Sequence, residues 1–205
     1  MSNFLAVDTS SKHLTVVAVK GEKEVVNFIP DCAMRHSVLL MDEIEKTLDK
    51  AELTPTECDF FVAVTGPGSF TGIRIGISCV KGFATALNKK CLGVTAFDLI
   101  AYNVNSAVPY IVAIDAAHDH YYVCGYTAEG ECDIQPCYIS KDKLSALNRP
   151  VYGFENLELD NYNKVEISSC LAPAAKAKAK EGVYALYVRK SQAEEERIAR
   201  LGGQR

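Results

Sequence analysis

The chain has 205 residues, 48% of them hydrophobic, and a formal net charge of −4, enough apolar material for a substantial core in one large or two small domains. The acidic balance argues against a broad electrostatic footprint for RNA, because nucleic-acid binders carry a basic surface that releases counterions, so any RNA is expected to be held by a partner. No apolar run approaches bilayer length, and Met1-Ser2-Asn3 lacks the basic-then-apolar pattern of a signal peptide, so no membrane contact and a cytoplasmic location are expected.

Residues 3–30 read as an antiparallel meander of three strands, 4–9, 14–20 and 24–29, broken by the turns Ser10-Ser11-Lys12 and Gly21-Glu22-Lys23. The spacing predicts a helix over 37–51 with Leu40, Ile44, Leu48 and Ala51 on one face and Val38, Leu39 and Met41 off it. A buried strand over 60–64 follows. A dense turn, Gly66-Pro67-Gly68-Ser69-Phe70-Thr71-Gly72, then leads into a helix predicted over 73–87, where apolar residues fall at 73, 77, 80, 84 and 87. Next come a strand over 91–95 and a short helix near 98–103. From about Val108 a second unit begins, with strands at 121–127 and 134–139, a helix at 141–147, strand fragments at 151–154 and 165–168, and a helix at 172–180. Lys176, Lys178 and Lys180 read as the solvated stretch of that last helix. The charged tail from Gln192 to Arg205, with its Gly202-Gly203 pair, is expected to fray.

Glycines at a helix N-terminus let a backbone neighbour approach, or leave N–H donors for an anion, and one of the two is expected at residues 66–72. Three familiar site patterns fail there. Gly72 is followed by Ile73 and Arg74 rather than Lys and a hydroxyl residue, which excludes a P-loop. The glycines are spaced two and four, not two and three as in a dinucleotide fingerprint. Pro67 and Thr71 occupy the positions where a nucleophile elbow centred on Ser69 needs glycine. Eight cysteines form no C-x-x-C pair, and with Cys79, Cys91 and Cys124 inside apolar runs, buried free thiols are expected rather than a disulfide scaffold or a cysteine zinc site.

The run TGPGSFTGIRIG closely resembles the signature of the TsaB proteins, the non-catalytic paralogues of the threonylcarbamoyl transferase subunit TsaD, which acts on the adenosine next to the anticodon of certain tRNAs. Leu5-Ala6-Val7-Asp8-Thr9-Ser10, Arg35-His36-Ser37 and Gly93-Val94-Thr95 support the likeness, which is dense over the first half and thin after Ala116. The element order matches the α/β half-domain of the actin-like ATPase and sugar-kinase superfold, itself similar to ribonuclease H. An internal repeat fits two such lobes: Leu5-Ala6-Val7-Asp8 before His13-Leu14-Thr15-Val16 has a counterpart in Val112-Ala113-Ile114-Asp115 before His120-Tyr121-Tyr122-Val123. The expected division is therefore 1–107, carrying the glycine motif, and a reduced lobe at 108–205.

In active members of that superfold an acid and its hydroxyl-rich turn handle nucleotide phosphate, so the resemblance marks Asp8, Thr9 and Ser10 as a weak or vestigial ATP site. The reading preferred from the residues is that Asp8 and Asp115 accept backbone N–H bonds where a strand bends into a turn. In the catalytic paralogue a His-x-x-x-His pair follows a Gly-Val-Asn run; after Gly93-Val94-Thr95 those positions are Ala96 and Ile100, neither a metal ligand. His118 and His120 read as part of a polar turn. No catalytic residue, cofactor or metal is therefore expected.

The helix at 73–87 confines Arg74, Ser78, Lys81 and Thr85 to one stripe, with small residues elsewhere, and such a helix seeks burial on two sides. The resemblance implies that the helices at 37–51 and 73–87 pair with TsaD, or with a second TsaB copy, and that TsaE is a further partner, with tRNA met only through the complex. His36, Leu40, Ile44, Ile75, Cys79 and Phe83 are the expected interface residues. Gly66 to Gly72 with Arg74 form the motif loop that fixes how the second helix enters. The rival expectations are a magnesium-dependent nucleotide hydrolase or kinase using Asp8 and Asp115, and a metallopeptidase.

Overall fold

The structure, a computed structural model, describes residues 2–189. The charged tail expected at 192–205 lies outside the described residues. Strands β1 (Phe4–Asp8), β2 (Leu14–Lys20) and β3 (Lys23–Ile29) form the expected meander, followed by α1 (His36–Ala51), β4 (Phe60–Val64), α2 (Phe70–Leu87), β5 (Lys90–Val94) and α3 (Ala96–Ala101). The second unit comprises β6 (Tyr110–Asp115), β7 (His120–Tyr126), β8 (Cys132–Ser140), α4 (Lys141–Ala146), β9 (Val151–Gly153), β10 (Tyr162–Lys164), α5 (Leu171–Lys178) and β11 (Lys180–Glu181).

The two sheets repeat one topology. The first runs β11-β5-β4-β1-β2-β3 and the second β10-β9-β6-β7-β8. In each, an antiparallel three-strand meander is continued through parallel partners of its first strand: β1 beside β4 in one sheet, β6 beside β9 in the other. The short internal repeat thus belongs to a duplication of the whole sheet order. The second lobe is reduced because β9 and β10 have no helix between them, where β4 and β5 are joined by α2.

Alternation along the strands divides the core. Leu5 and Val7 of β1, Leu14, Val16 and Ala18 of β2, and Phe61 and Ala63 of β4 pack under α1 and α2. Their neighbours Phe4, Ala6, Val17, Val19, Val62 and Val64 face the other way, into a core shared with α3, α5 and the second sheet's Val112, Ile114, Cys124 and Tyr126. β1 is buried on both faces, which is why it reads as a continuous apolar run. A third cluster, Ile111, Ala113, Tyr121, Val123, Leu144 and Val151, lies on the outer face of the second sheet, to which α4 contributes Leu144.

Several boundaries depart from expectation. Helix α2 begins three residues earlier than its apolar periodicity, because Ser69 caps it by accepting the Gly72 N–H and so draws Phe70, Thr71 and Gly72 into the first turn. The strand expected at 165–168 is replaced by β10 at Tyr162–Lys164 and a 3-10 turn at Ile167–Ser169. Beyond α5 the chain leaves the second lobe, to which 108–205 was assigned: β11 pairs antiparallel with β5, and the Leu186 N–H donates to the Thr65 carbonyl at 2.8 Å. Of the three clustered lysines, Lys176 pairs with Glu24 across the lobes at 2.6 Å. No helix among the described residues is long and apolar enough to cross a membrane.

Candidate functional site

The glycine motif meets a close backbone neighbour. Cβ atoms built on Gly68 and Gly72 would collide with the carbonyl oxygens of Ser10 and Thr9, and one on Gly76 would sit 2.5 Å from Thr9 Oγ1. Without side chains at these three positions, the start of α2 seats directly on the turn after β1. Hydrogen bonds tie the two segments: Thr9 Oγ1 donates to the Gly72 carbonyl at 2.6 Å, and the Ser69 N–H to the Ser10 carbonyl at 2.6 Å. Gly66 extends the lattice by accepting the Ala96 N–H at 2.7 Å, which fixes the start of α3. Arg74 stays exposed, its guanidinium 3.8 Å from the Phe70 ring centre and its Nε donating to Tyr187 Oη at 2.9 Å.

Asp8, Thr9 and Ser10 are all buried. One Asp8 carboxylate oxygen accepts both the Ser10 N–H, at 2.8 Å, and the Ser10 hydroxyl, at 2.6 Å. Burial pushes the Asp8 carboxyl above its ordinary range, against the lowering effect of the two Ser10 bonds. Asp115 makes the equivalent turn, accepting the Ala117 N–H at 2.9 Å. Both aspartates thus do what the bend reading expected.

Between the lobes lies a cleft of about 320 Å³ whose lining includes Ser10, Lys12, Gly68, Ser69, Asp115 and Glu155. Asp8 is not part of its wall; Ser10 covers it. A nucleotide site of the expected kind needs two carboxylates facing the cleft, and only Asp115 of that pair does so. Sequence reasoning missed Glu155, which accepts the Asp115 N–H at 2.7 Å and which burial raises to about 7. No local pattern marks it: it stands two residues beyond β9, and its partner Asp115 is distant in sequence. His118 lies in a left-handed turn with Ala117 and Asp119, and its carbonyl contacts His120 Nδ1 at 2.7 Å. Among the described residues no group of three His, Cys, Asp or Glu side chains could hold a metal ion, and all eight cysteines are free.

The second feature is an apolar groove between α1 and α2, about 550 Å³, lined by Ser37, Leu40, Met41, Ile75, Ser78, Cys79, Gly82, Phe83 and Ala86. Ile75, Cys79 and Phe83 recur every fourth residue and stay half-buried; Met41 is 54% and Val38 70% exposed. Three expected interface residues lie deeper. Leu40 and Ile44 are on the sheet side of α1, each only 2% exposed, because their spacing puts them in the stripe with Leu48 and Ala51. Leu40 reaches only the groove floor. His36 is buried as well, its Nε2 3.0 Å from the His13 carbonyl, where it fixes the start of α1 against β2.

A family model described as "TsaD: tRNA N6-adenosine threonylcarbamoyltransferase" matches residues 21–188. The "tRNA threonylcarbamoyladenosine biosynthesis protein TsaB" of Buchnera aphidicola subsp. Schizaphis graminum is 27% identical over 187 residues, covering 84% of this chain and 89% of that protein. The protein of the same description from Escherichia coli (strain K12) is 28% identical over 125 residues, 60% of this chain and 54% of the relative. Against the Bacillus subtilis (strain 168) relative, 29% identical over 99 residues, the match covers 48% of this chain and less than half of that protein, 43%. The solved structure "YeaZ from Pseudomonas aeruginosa" shares the fold with a TM-score of 0.70 at 24% identity, over 91% of this chain and 100% of that one.

Two lobes of duplicated ribonuclease-H-like topology, with a cleft between them, define an α/β protein of the actin-like ATPase and sugar-kinase superfold. The chain belongs to the TsaD family and, within it, to the TsaB proteins.

Proposed function

We propose that this chain acts in the synthesis of threonylcarbamoyladenosine in tRNA as a non-catalytic partner that docks TsaD through the groove between α1 and α2, within the cytoplasm. The observation that carries the reading is the groove itself: apolar residues at helical spacing on two adjacent helices, half-buried in the isolated chain, on the face of the first lobe opposite the second. Contiguous apolar surface of this kind marks an interaction site. Supporting it, Asp8 is buried and engaged by Ser10 rather than facing the cleft, and the space beside the motif glycines is filled by the Thr9 and Ser10 carbonyls. In this reading the chain needs no cofactor of its own, TsaE joins as a further component, and tRNA is met through the assembled complex.

The test is reconstitution. TsaD from the same source is given tRNA and the threonylcarbamoyl-adenylate donor, with and without this chain. Modified adenosine is expected only when both proteins are present, and the requirement should persist for Asp8→Asn. Modification by TsaD alone at the same rate, or by this chain alone, would overturn the proposal. The same groove also fits a second copy of this chain, and light scattering of the protein alone distinguishes a dimer that TsaD displaces.

A further inference from the structure

Strands β7 and β8 pair antiparallel but lose register on either side of Gly125, so that Gly125 faces Ile134 while Tyr126 faces Cys132. Continued from Val123 opposite Cys137, a regular ladder would set Cys124 opposite Pro136, four residues from Cys132 and too far away to react. The register shifts, which put Cys132 opposite Tyr126, bring it onto the diagonal from Cys124. Their sulfurs lie 3.7 Å apart, and both thiols are directed at the same Ile134 carbonyl, at 3.4 and 3.5 Å. The two environments differ: Cys124 is buried in the core between the lobes, whereas Cys132 is exposed at the start of β8. Between them runs a hairpin turn closed by the Thr127 N–H to the Glu131 carbonyl and relieved by a positive φ at Gly130.

We infer that Cys124 and Cys132 form a reversible oxidation site, closed as an intrachain disulfide by exchange with a low-molecular-weight disulfide such as oxidised glutathione. The Cys132 thiolate attacks one sulfur of the glutathione disulfide, forming a mixed disulfide and releasing one glutathione thiolate. Cys124 then loses its proton to solvent and attacks the Cys132 sulfur, and the second glutathione thiolate leaves. Two protein thiols are oxidised and one glutathione disulfide is reduced to two thiols. Exposure makes Cys132 the entry point, and burial, which raises the Cys124 thiol to about 12, makes ring closure the slower step. A disulfide needs its sulfurs at about 2.0 Å; rotation of the exposed Cys132 side chain on the short turn supplies the approach. The product ties the hairpin tip to the interlobe core beside Tyr126, whose hydroxyl donates to Asp98.

The reduced full-length protein is incubated with oxidised glutathione, quenched with an alkylating agent, and analysed by thiol titration and peptide mass mapping. Wild type is expected to lose two of its eight thiols and yield a peptide pair joined through Cys124 and Cys132. Cys132→Ser, at an exposed position, is expected to lose neither, and Cys124→Ser to stop with one glutathione on Cys132. A wild-type protein that stops at the mixed disulfide, pairs other cysteines, or keeps all its thiols under conditions that oxidise a free dithiol peptide would overturn the inference.

Discussion

Replacing Gly72 by alanine tests the seating of α2 most sharply, because alanine is otherwise the better helix residue. Gly72 lies in the first turn of α2, and its added Cβ would fall inside the 3.0 Å limit for real Cβ contacts, against the Thr9 carbonyl. A backbone oxygen at the end of the central strand cannot swing aside as a side-chain tip can. Overpacking of this kind costs about 1–3 kcal/mol. Separating the segments also strains the Thr9 Oγ1 bond to the Gly72 carbonyl, worth about 0.5–1.5 kcal/mol. Against this, removing a helical glycine returns roughly 0.5–1 kcal/mol. The net expectation is a loss of roughly 0.5–4 kcal/mol, a fall in Tm of about 1–16 °C for a chain of this size. Gly82 is the internal control: it lies in the same helix, with nothing within 4 Å of a built Cβ, so Gly82→Ala is expected to raise Tm by about 1–4 °C. Thermal unfolding followed by circular dichroism reads both, and a single transition is expected because one core joins the two sheets. If Gly72→Ala melts at or above wild type, the close-packing account of the motif is wrong.

The groove and the core beneath it should separate by mutation: Ile75→Glu is expected to leave the melting temperature near wild type and weaken TsaD binding by about 30-fold or more, as buried anchors of an interface do, whereas Phe83→Glu, which also loses its stacking on buried Phe61, is expected to weaken binding and lower the melting temperature. Ile44→Ala should behave oppositely, costing about 2–5 kcal/mol of stability by opening a cavity with little direct effect on affinity, measured by calorimetric titration of folded protein. Burial raises Glu155 from 4.5 to about 7 despite the bond from the Asp115 N–H. The folded state then holds that proton more tightly than the unfolded chain. Its stabilising contribution is complete below about pH 4.5 and lost as pH rises through about 7. Glu155→Gln, which still offers an acceptor to Asp115, is expected to flatten the decline of the urea midpoint across that window; an unchanged slope would contradict it.

Legibility in the sequence follows the strength of each local signal. The meander, α1, β4 and β5 were readable to within a residue or two because β-branched runs alternate with turn residues and the helix stripe is regular. The start of α2 was hidden because its first turn carries glycine and polar residues that add nothing to an apolar period, although Ser69 three residues before Gly72 is a capping signal. Of the expected interface residues on α1, His36 and Ile44 are buried and Leu40 reaches only the groove floor, since a single stripe cannot say whether sheet or partner covers it. The return of the chain to the first sheet at β11 had only a weak signal, the apolar run from Val183 to Val188, and pairing with a strand so distant in sequence leaves no local trace. Glu155 belongs to the same class: its neighbour Asp115 is forty residues away along the chain.

The central claim is that this chain is a partner rather than an independent enzyme. Purified protein titrated with purified TsaD, its complex mass followed by light scattering with and without ATP, tests that most directly. A stable one-to-one complex that is lost with Ile75→Glu is the predicted result. Absence of any complex under every nucleotide condition, with ATP turned over by this chain alone, would contradict it.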